Sequence, residues 1–432
     1  MSETLNQEPR CKTRKPDSAL PCGRAKWKWK QKCGSGGGDV SRKNFRRKPT
    51  RTVGFFPHSA RRVQRPHRQT LALRTTIGEM ELQVWYGYDP SAEHWGCPMR
   101  QRWGLAPAQH TSPALEDKVL FTVTATATYE QAAAVAGKWG SPMDDSTVHV
   151  LVQRRGAQAE AQTQARLKTV PVESAPPRAP SALNVVMIDG FLVRFRGSDW
   201  GGEKASAAHV AWHEMKTGVF YRHEQASVNA RGRGLLAEKV VVSWQGSAVE
   251  LGERLHHEAL RRGLGRAGQV EAVGDGAPGI WNLVAGRWSQ AVQVLDFYHT
   301  SQHLWELSRA LHPKEEKKVA PWVEKRLHRL RHGQERVVLK EIAGLKAGRG
   351  EAGKIVRREQ NYFASHAGRM AYETIAERGW PIGSGAVESA CRQKQCRYKR
   401  PGQFWTESGL RHLCALEEAR ANGHWDQLWT TE

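Results

Sequence analysis

The chain lacks any apolar run approaching the roughly 18 to 20 residues of a membrane span, so no membrane association is expected. It also lacks a Cys-x-x-Cys pair. Its seven cysteines, an odd number without a signal peptide, predict free thiols in a reducing, cytoplasmic compartment rather than a disulfide framework. Acid is scarce as well: 43 Asp and Glu face 66 Lys and Arg, a formal charge of +23 over 432 residues. Self-repulsion on that scale is tolerable only where counter-charge is available, which points to a polyanionic partner, nucleic acid first.

What is present is unevenly spread, over a length that allows two or three domains. Residues 1–74 hold 20 Lys and Arg against 4 Asp and Glu, and stretches such as KWKWKQKCGSGGGD show neither helical nor strand periodicity. Residues 1–70 are therefore expected to be disordered. Cys11, Cys22 and Cys33 recur every eleven residues, but zinc sites usually need close ligand pairs, which argues against a metal knuckle. LALRTTIGEMELQVWYGY (71–88) alternates apolar and polar residues about Ile77-Gly78-Glu79 and predicts a β-hairpin.

Residues 111–156 divide into three helical patterns: Ser112 capping before Pro113, a Thr128-x-x-Gln131 capping box, and Asp145 or Ser146 opening STVHVLVQRR. That is helix-turn-helix spacing. The last helix would turn Ser146, Thr147 and His149 to base edges and Arg154 and Arg155 to phosphates; the plainer alternative is a three-helix packing unit. Hairpin and helices together make an expected DNA-binding domain at 71–156. Residues 157–182, rich in Ala, Gln and Pro, are the expected linker, with Pro171, Pro176, Pro177 and Pro180 blocking regular structure.

Beyond the linker, strands alternate with helices. VVMID (185–189) leading to FLVRFRG, then HEMKTGVFYRHE and EKVVVSW, precede a helix over 247–262. QVEAVGD (269–275) and AVQVLDF (291–297) are further strands, the second leading into a helix near His299. Three strands, a helix, a strand, a helix and a strand is the order of an α/β, ribonuclease-H-like mixed sheet.

In such a sheet the first and fourth strands are parallel neighbours, and open α/β sheets place ligands at the carboxyl ends of their strands. Asp189 ends one and Asp275 the other, each followed by a glycine that lets the backbone turn and leave the carboxylate exposed. Two carboxylates so close need a proton or a cation between them, and hard oxygen donors suit Mg²⁺, or Mn²⁺ in its place. A third acid has to come from another element. Glu388, within IGSGAVESACRQKQCRYKR (382–400), is the candidate.

On a helix starting near Ala386, Glu388 would hold the ion while Arg392, Lys394, Arg397, Lys399 and Arg400 hold the nucleic-acid strand. The alternative is a solvated Glu–Arg pair contributing about 0.3 to 0.5 kcal/mol. Asp296 and His299 read either as braces for the aspartates or as a helix N-cap above an apolar seam. Trp425 and Trp429 read as a docking seam for a terminal helix or as a base-stacking platform.

VGDGAPGIWNL (273–283), VLDFYHTSQHLWELSRAL (294–311) and PIGSGAVESACRQKQCRYKRPGQFWTESG running on to NGHWDQLW (381–429) stand in an order that resembles one family. It is that of the DDE transposases of bacterial insertion sequences, specifically the ISKra group, related to the Mutator-like superfamily, and the resemblance covers roughly residues 70 to 432. It implies a catalytic triad of Asp189, Asp275 and Glu388 holding Mg²⁺ or Mn²⁺. DFYH matches the superfamily's acid or cysteine, two residues and histidine, which makes Asp296 and His299 accessory and Asp296 the runner-up for second catalytic acid.

The resemblance further implies a catalytic domain over 183–311 and 381–432, interrupted by a helical insertion at 312–380. That insertion would grip transposon-end DNA through Lys325, Arg326, Arg329 and Arg331. Element-end inverted repeats and target DNA, both double-stranded, are the implied partners, with a homo-oligomer to bring two ends together in the bacterial nucleoid. The implied activity is end cleavage and strand transfer by two-metal phosphoryl transfer. The alternative is a non-catalytic DNA-binding repressor or a decayed or domesticated transposase.

Overall fold

Gly78, at φ +114°, closes the first hairpin of a chain described by a computed structural model over residues 63–90, 93–169, 182–197, 210–230, 234–262 and 268–430. These residues lie in one unit, Pro49–Glu432. The expected disorder of 1–70 falls outside the described residues up to Arg62, as do Cys11, Cys22 and Cys33. Strands β1 (Gln64–Thr75) and β2 (Gly78–Asp89) pair antiparallel, and β3 (His94–Gly96) adds a third strand. β1 begins at Gln64, earlier than the expected 71, because its first seven residues are all exposed and so carry no alternating signal. With α1 (Pro98–Arg102), this sheet encloses a small core of Leu71, Leu73, Val84, Cys97 and Leu105.

Helices α2 (Pro113–Ala125) and α3 (Tyr129–Lys138) start at their expected caps: Ser112 Oγ accepts from the Leu115 amide and Thr128 Oγ1 from the Gln131 amide. Asp144, one residue before the expected cap, opens α4 (Asp145–Lys168). α4 consumes the first half of the expected linker. Its Ala- and Gln-rich turns are good helix formers, and no proline intervenes before Pro171.

The central sheet is built from β4 (Leu183–Arg196), β5 (Val210–Arg222), β8 (Val240–Trp244), β9 (Gln269–Gly274) and β10 (Val292–Leu295), with β6 (Ala226–Val228) and β7 (Gly234–Leu236) forming a separate ribbon. Its order is β10-β9-β4-β5-β8; β5 is antiparallel to both neighbours, while β9 and β10 run parallel to β4. LNVVMI at the start of β4 is buried throughout, the pattern of a strand covered on both faces. Helix α5 (Ala248–Arg261), opened by a Ser247–Glu250 capping box, presses Leu255 against Gly218 of β5, where a Cβ would stand 2.5 Å from it.

Helices α6 (Pro278–Arg287) and α7 (Phe297–Leu311) flank β10, and α8 (Glu316–Arg331), α9 (Glu335–Ala343), α10 (Gly350–Ser365) and α11 (Tyr372–Glu377) occupy the expected insertion. The chain then returns as α12 (Gly385–Tyr398) and α13 (Glu407–Ala421). α4 packs on α13 so closely that a Cβ at Gly156 would sit 2.5 Å from the His412 carbonyl oxygen. Leu115, Val119, Val148, Leu151 and Val152 accordingly join the core of the central sheet. The expected 71–156 domain is therefore divided: the hairpin has its own core, and the three helices pack with the central sheet.

Trp425 donates to Asp117 Oδ1 at 2.7 Å and meets Phe121 edge-on, and Arg155 lies 4.2 Å over Trp429. The two tryptophans are thus a docking seam.

Candidate active site

Three aspartates stand at the carboxyl side of three adjacent parallel strands. Asp275 follows the last residue of β9 and Asp296 the last residue of β10. Asp189 does not end its strand, contrary to expectation; β4 continues to Arg196 paired with β5. It reaches the same level because the β4–β9 pairing stops at Ile188 and Gly274, one residue before each aspartate. Gly190 is accordingly ordinary strand, and only Gly276, at φ +105°, supplies the turn the sequence suggested for both.

Each carboxylate is held differently. Asp189 Oδ1 accepts from the Gly190 amide at 2.7 Å, and the Cys391 thiol of α12 bonds the same side chain. Burial raises the pKa of Asp189; the Gly190 amide, Cys391 and His299 oppose that rise, and neighbouring Asp275 adds to it. Asp275 uses Oδ1 to accept the Ala277 amide at 2.9 Å. Asp296, fully buried, caps α7 by accepting the amides of Tyr298 and His299, while its Oδ2 accepts the Ser384 amide at 2.7 Å. Burial would raise Asp296, yet the bonds from His299 and Ser384 hold it below the usual carboxylate range.

Glu388 arrives from α12. Ser384 Oγ donates to its Oε1 at 2.8 Å, so one serine joins Asp296 to Glu388 through its amide and its hydroxyl. Nδ1 of His299 lies 3.8 Å from Asp296 Oδ1; that carboxylate raises the imidazole above its ordinary value against the effect of burial, and Asp275 and Asp189 add to the rise. One donor atom each from Asp296, His299 and Glu388 lies within 4.8 Å of the others, a spacing that could hold a cation. Asp296, His299 and Glu388 thus share one cluster, while Asp189 and Asp275 are near enough to act electrostatically on each other and on His299. Ser384, Cys391 and Tyr362, whose hydroxyl donates to the Asp275 carbonyl at 2.9 Å, were missed. Ser384 had a readable signal, standing four residues before Glu388 at a helix start.

The basic residues divide in two. Lys325, Arg331, Arg392 and Lys399 are exposed, as are Ser146 and His149, with Thr147 half-buried. Arg154 and Arg155 instead bind the buried Glu116 at 2.7 and 3.2 Å, and Lys394 and Arg397, both buried, share Glu417 at 3.3 and 2.9 Å. Arg326 and Arg329 both pair with Glu341. Arg400 is half-buried, its carbonyl accepting from Arg194. Arg155, Lys394 and Arg397 are therefore internal counter-charges rather than the strand-gripping residues expected, and Arg154, Arg326 and Arg329 have committed partners.

Fold and site together define a mixed α/β protein with a group of carboxylates at the ends of its parallel strands. Residues 58–429 match the Uncharacterised protein family (UPF0236), and the chain belongs to that family. No curated protein matches the sequence. Among solved structures, the chain is similar to the Drosophila P element transposase strand transfer complex at a TM-score of 0.35 and 10% identity, over 76% of this chain and 96% of that one. At that distance the functional reading has to rest on the site. Among the described residues no helix is long and apolar enough to cross a membrane.

Proposed function

We propose that this protein is a DDE transposase of the ISKra type, with a ribonuclease-H-like core, that cleaves the ends of an insertion sequence and joins them to target DNA. The observation that carries the reading is the convergence of Asp189, Asp275 and Asp296 at one end of three neighbouring parallel strands, closed from the side by Glu388 of α12. The strand order, with an antiparallel pair on one side of β4 and two parallel strands on the other, supports the core assignment.

Asp189, Asp275 and Glu388 are the ion-holding set in this reading. The donor chemistry fits Mg²⁺ or Mn²⁺: the carboxylates are hard oxygen ligands, and burial together with the nearby Asp275 makes the charged form of Asp189 costly without a cation. Asp296 fits less well as a ligand, since both its oxygens already accept main-chain amides. It is a brace that orients His299 and, through Ser384, Glu388. Bound divalent ions would supply Lewis acidity for in-line attack by water or a 3′-hydroxyl and for the departing oxygen. The protein's own part is to hold the carboxylates aligned, and to lay DNA across the site with exposed cations such as Arg392, Lys399, Lys325 and Arg331. Synapsis of two ends calls for at least a dimer.

Duplexes carrying the terminal repeats that flank the gene supply the test. Asp189→Ala, Asp275→Ala and Glu388→Gln are expected to lose Mg²⁺-dependent cleavage and joining while keeping DNA binding in a mobility-shift assay. Cleavage retained by any of the three would overturn the assignment. Wild-type binding without any metal-dependent joining would favour a repressor.

A further inference from the structure

One aromatic cluster has no part in the triad, yet it closes on one of its members from the helical insertion. Tyr362 of α10 stacks on His303 of α7, with ring centroids 3.6 Å apart and 19° between planes, and sends its hydroxyl to the Asp275 carbonyl at 2.9 Å. His303 is fixed from behind by Glu359, also on α10, with Nδ1 to Oε2 at 2.6 Å and the carboxylate fully buried. His366, one turn beyond Tyr362, meets it edge-on at 4.7 Å. Arg369 ties that end of the insertion to Gln293 of β10 at 2.7 Å.

Gly276 explains why the arrangement needs no side chain after Asp275. A Cβ there would lie 2.9 Å from the Tyr362 ring and 3.0 Å from His366 Nε2. The Asp275–Gly276 backbone is therefore gripped by Tyr362 and His366. The hydrogen bond from Tyr362 goes to the main chain of Asp275.

We propose that Tyr362 is a positioning residue: by holding the Asp275 carbonyl from α10, it sets the carboxylate against Asp189 and makes the helical insertion part of the ion-binding face. The inference rests on the transposase reading and deepens it. An insertion that moves on DNA would carry Tyr362 with it, so ion binding at Asp275 depends on how the insertion sits.

Tyr362→Phe keeps the ring stack and removes only the hydroxyl. In the full-length protein it is expected to leave the melting temperature nearly unchanged, to raise the Mg²⁺ concentration for half-maximal end cleavage about five- to tenfold, and to weaken Mn²⁺ binding, followed by the paramagnetic signal of free Mn²⁺, by a similar factor. Gly276→Ala is expected to weaken Mn²⁺ binding in the same direction. A Tyr362→Phe protein that binds Mn²⁺ as the wild type does and cleaves at the same Mg²⁺ concentration would overturn the positioning role while leaving the transposase reading intact. A fall in melting temperature with ion dependence unmoved would make Tyr362 merely structural. A wild type that neither binds Mn²⁺ nor cleaves would sink both.

Discussion

Glu271 is a buried carboxyl without a partner among the described residues, and replacing it tests the buried electrostatics directly. It lies on β9 in register with Val185 of β4 and Val292 of β10, is fully buried, and neither carboxylate oxygen has a hydrogen-bond partner. Burial alone raises its carboxyl from an ordinary 4.5 to about 8. A carboxyl raised on folding stays protonated in the native chain while the unfolded chain already ionises. Its contribution to stability is therefore fully present below the unfolded value and is lost as pH rises toward the folded one. At about 1.4 kcal/mol per unit, the shift from 4.5 to about 8 corresponds to roughly 4 to 5 kcal/mol, most of it lost between pH 5 and 8.5. Glu271→Gln has no proton to lose there. It carries a pH-independent penalty of about 1 to 3 kcal/mol for an unpartnered amide. Denaturant unfolding of both proteins at pH 5, 6, 7 and 8.5 should show the variant gaining on the wild type by about 4 kcal/mol across the range. Stability profiles that stay parallel from pH 5 to 8.5 would mean that water or a partner reaches this carboxyl in the folded chain, and would refute the reasoning.

Glu417→Gln is expected to destabilise the fold by about 3 kcal/mol or more by denaturant unfolding, because it leaves Lys394 and Arg397 buried without their shared counter-charge. In DNA-binding titrations, Arg392→Gln and Lys399→Gln, at exposed positions, should each lower the slope of log affinity against log salt by roughly one. Arg155→Gln should leave that slope alone and lower stability, since its guanidinium serves Glu116 and the Leu428 carbonyl. Asp296→Ala should cost about 1 to 2 kcal/mol as a lost cap, with more from the stranded Ser384 amide. Asp275→Ala should leave the unfolding free energy within about 0.5 kcal/mol of wild type.

The central strands were legible from apolar stretches such as VVMID and VVVSW, whereas the full length of β4 was not, because its outer half pairs with a polar stretch of β5 and carries no continuous apolar run. Caps were legible for the same local reason: Ser112 and Thr128 each sit where a hydroxyl meets an orphan amide. What failed was non-local. Nothing near Arg154 and Arg155 in sequence announces Glu116, nor does the helix of Lys394 and Arg397 contain Glu417, so cations serving a buried acid looked the same as cations facing DNA. The division of the expected DNA-binding domain was hidden in the same way, because only α13 reveals that the apolar faces of α2 and α4 belong to the larger core.

Within the candidate site, two aspartates compete for one role. Both stand just past the end of a parallel strand, and sequence alone cannot rank them. Hydrogen-bond saturation does. Asp296 is fully buried with both oxygens accepting amides from two elements, so binding an ion would require it to give up a bond that also caps α7 or seats Ser384. Asp275 is half-buried, spends one oxygen on its own turn and leaves Oδ2 without a partner among the described residues. A carboxylate already satisfied by the fold gains less from a cation than one that is not. On that ground we propose Asp275 as the ligand and Asp296 as the residue that, within one 4.8 Å cluster, keeps His299 and Glu388 in place.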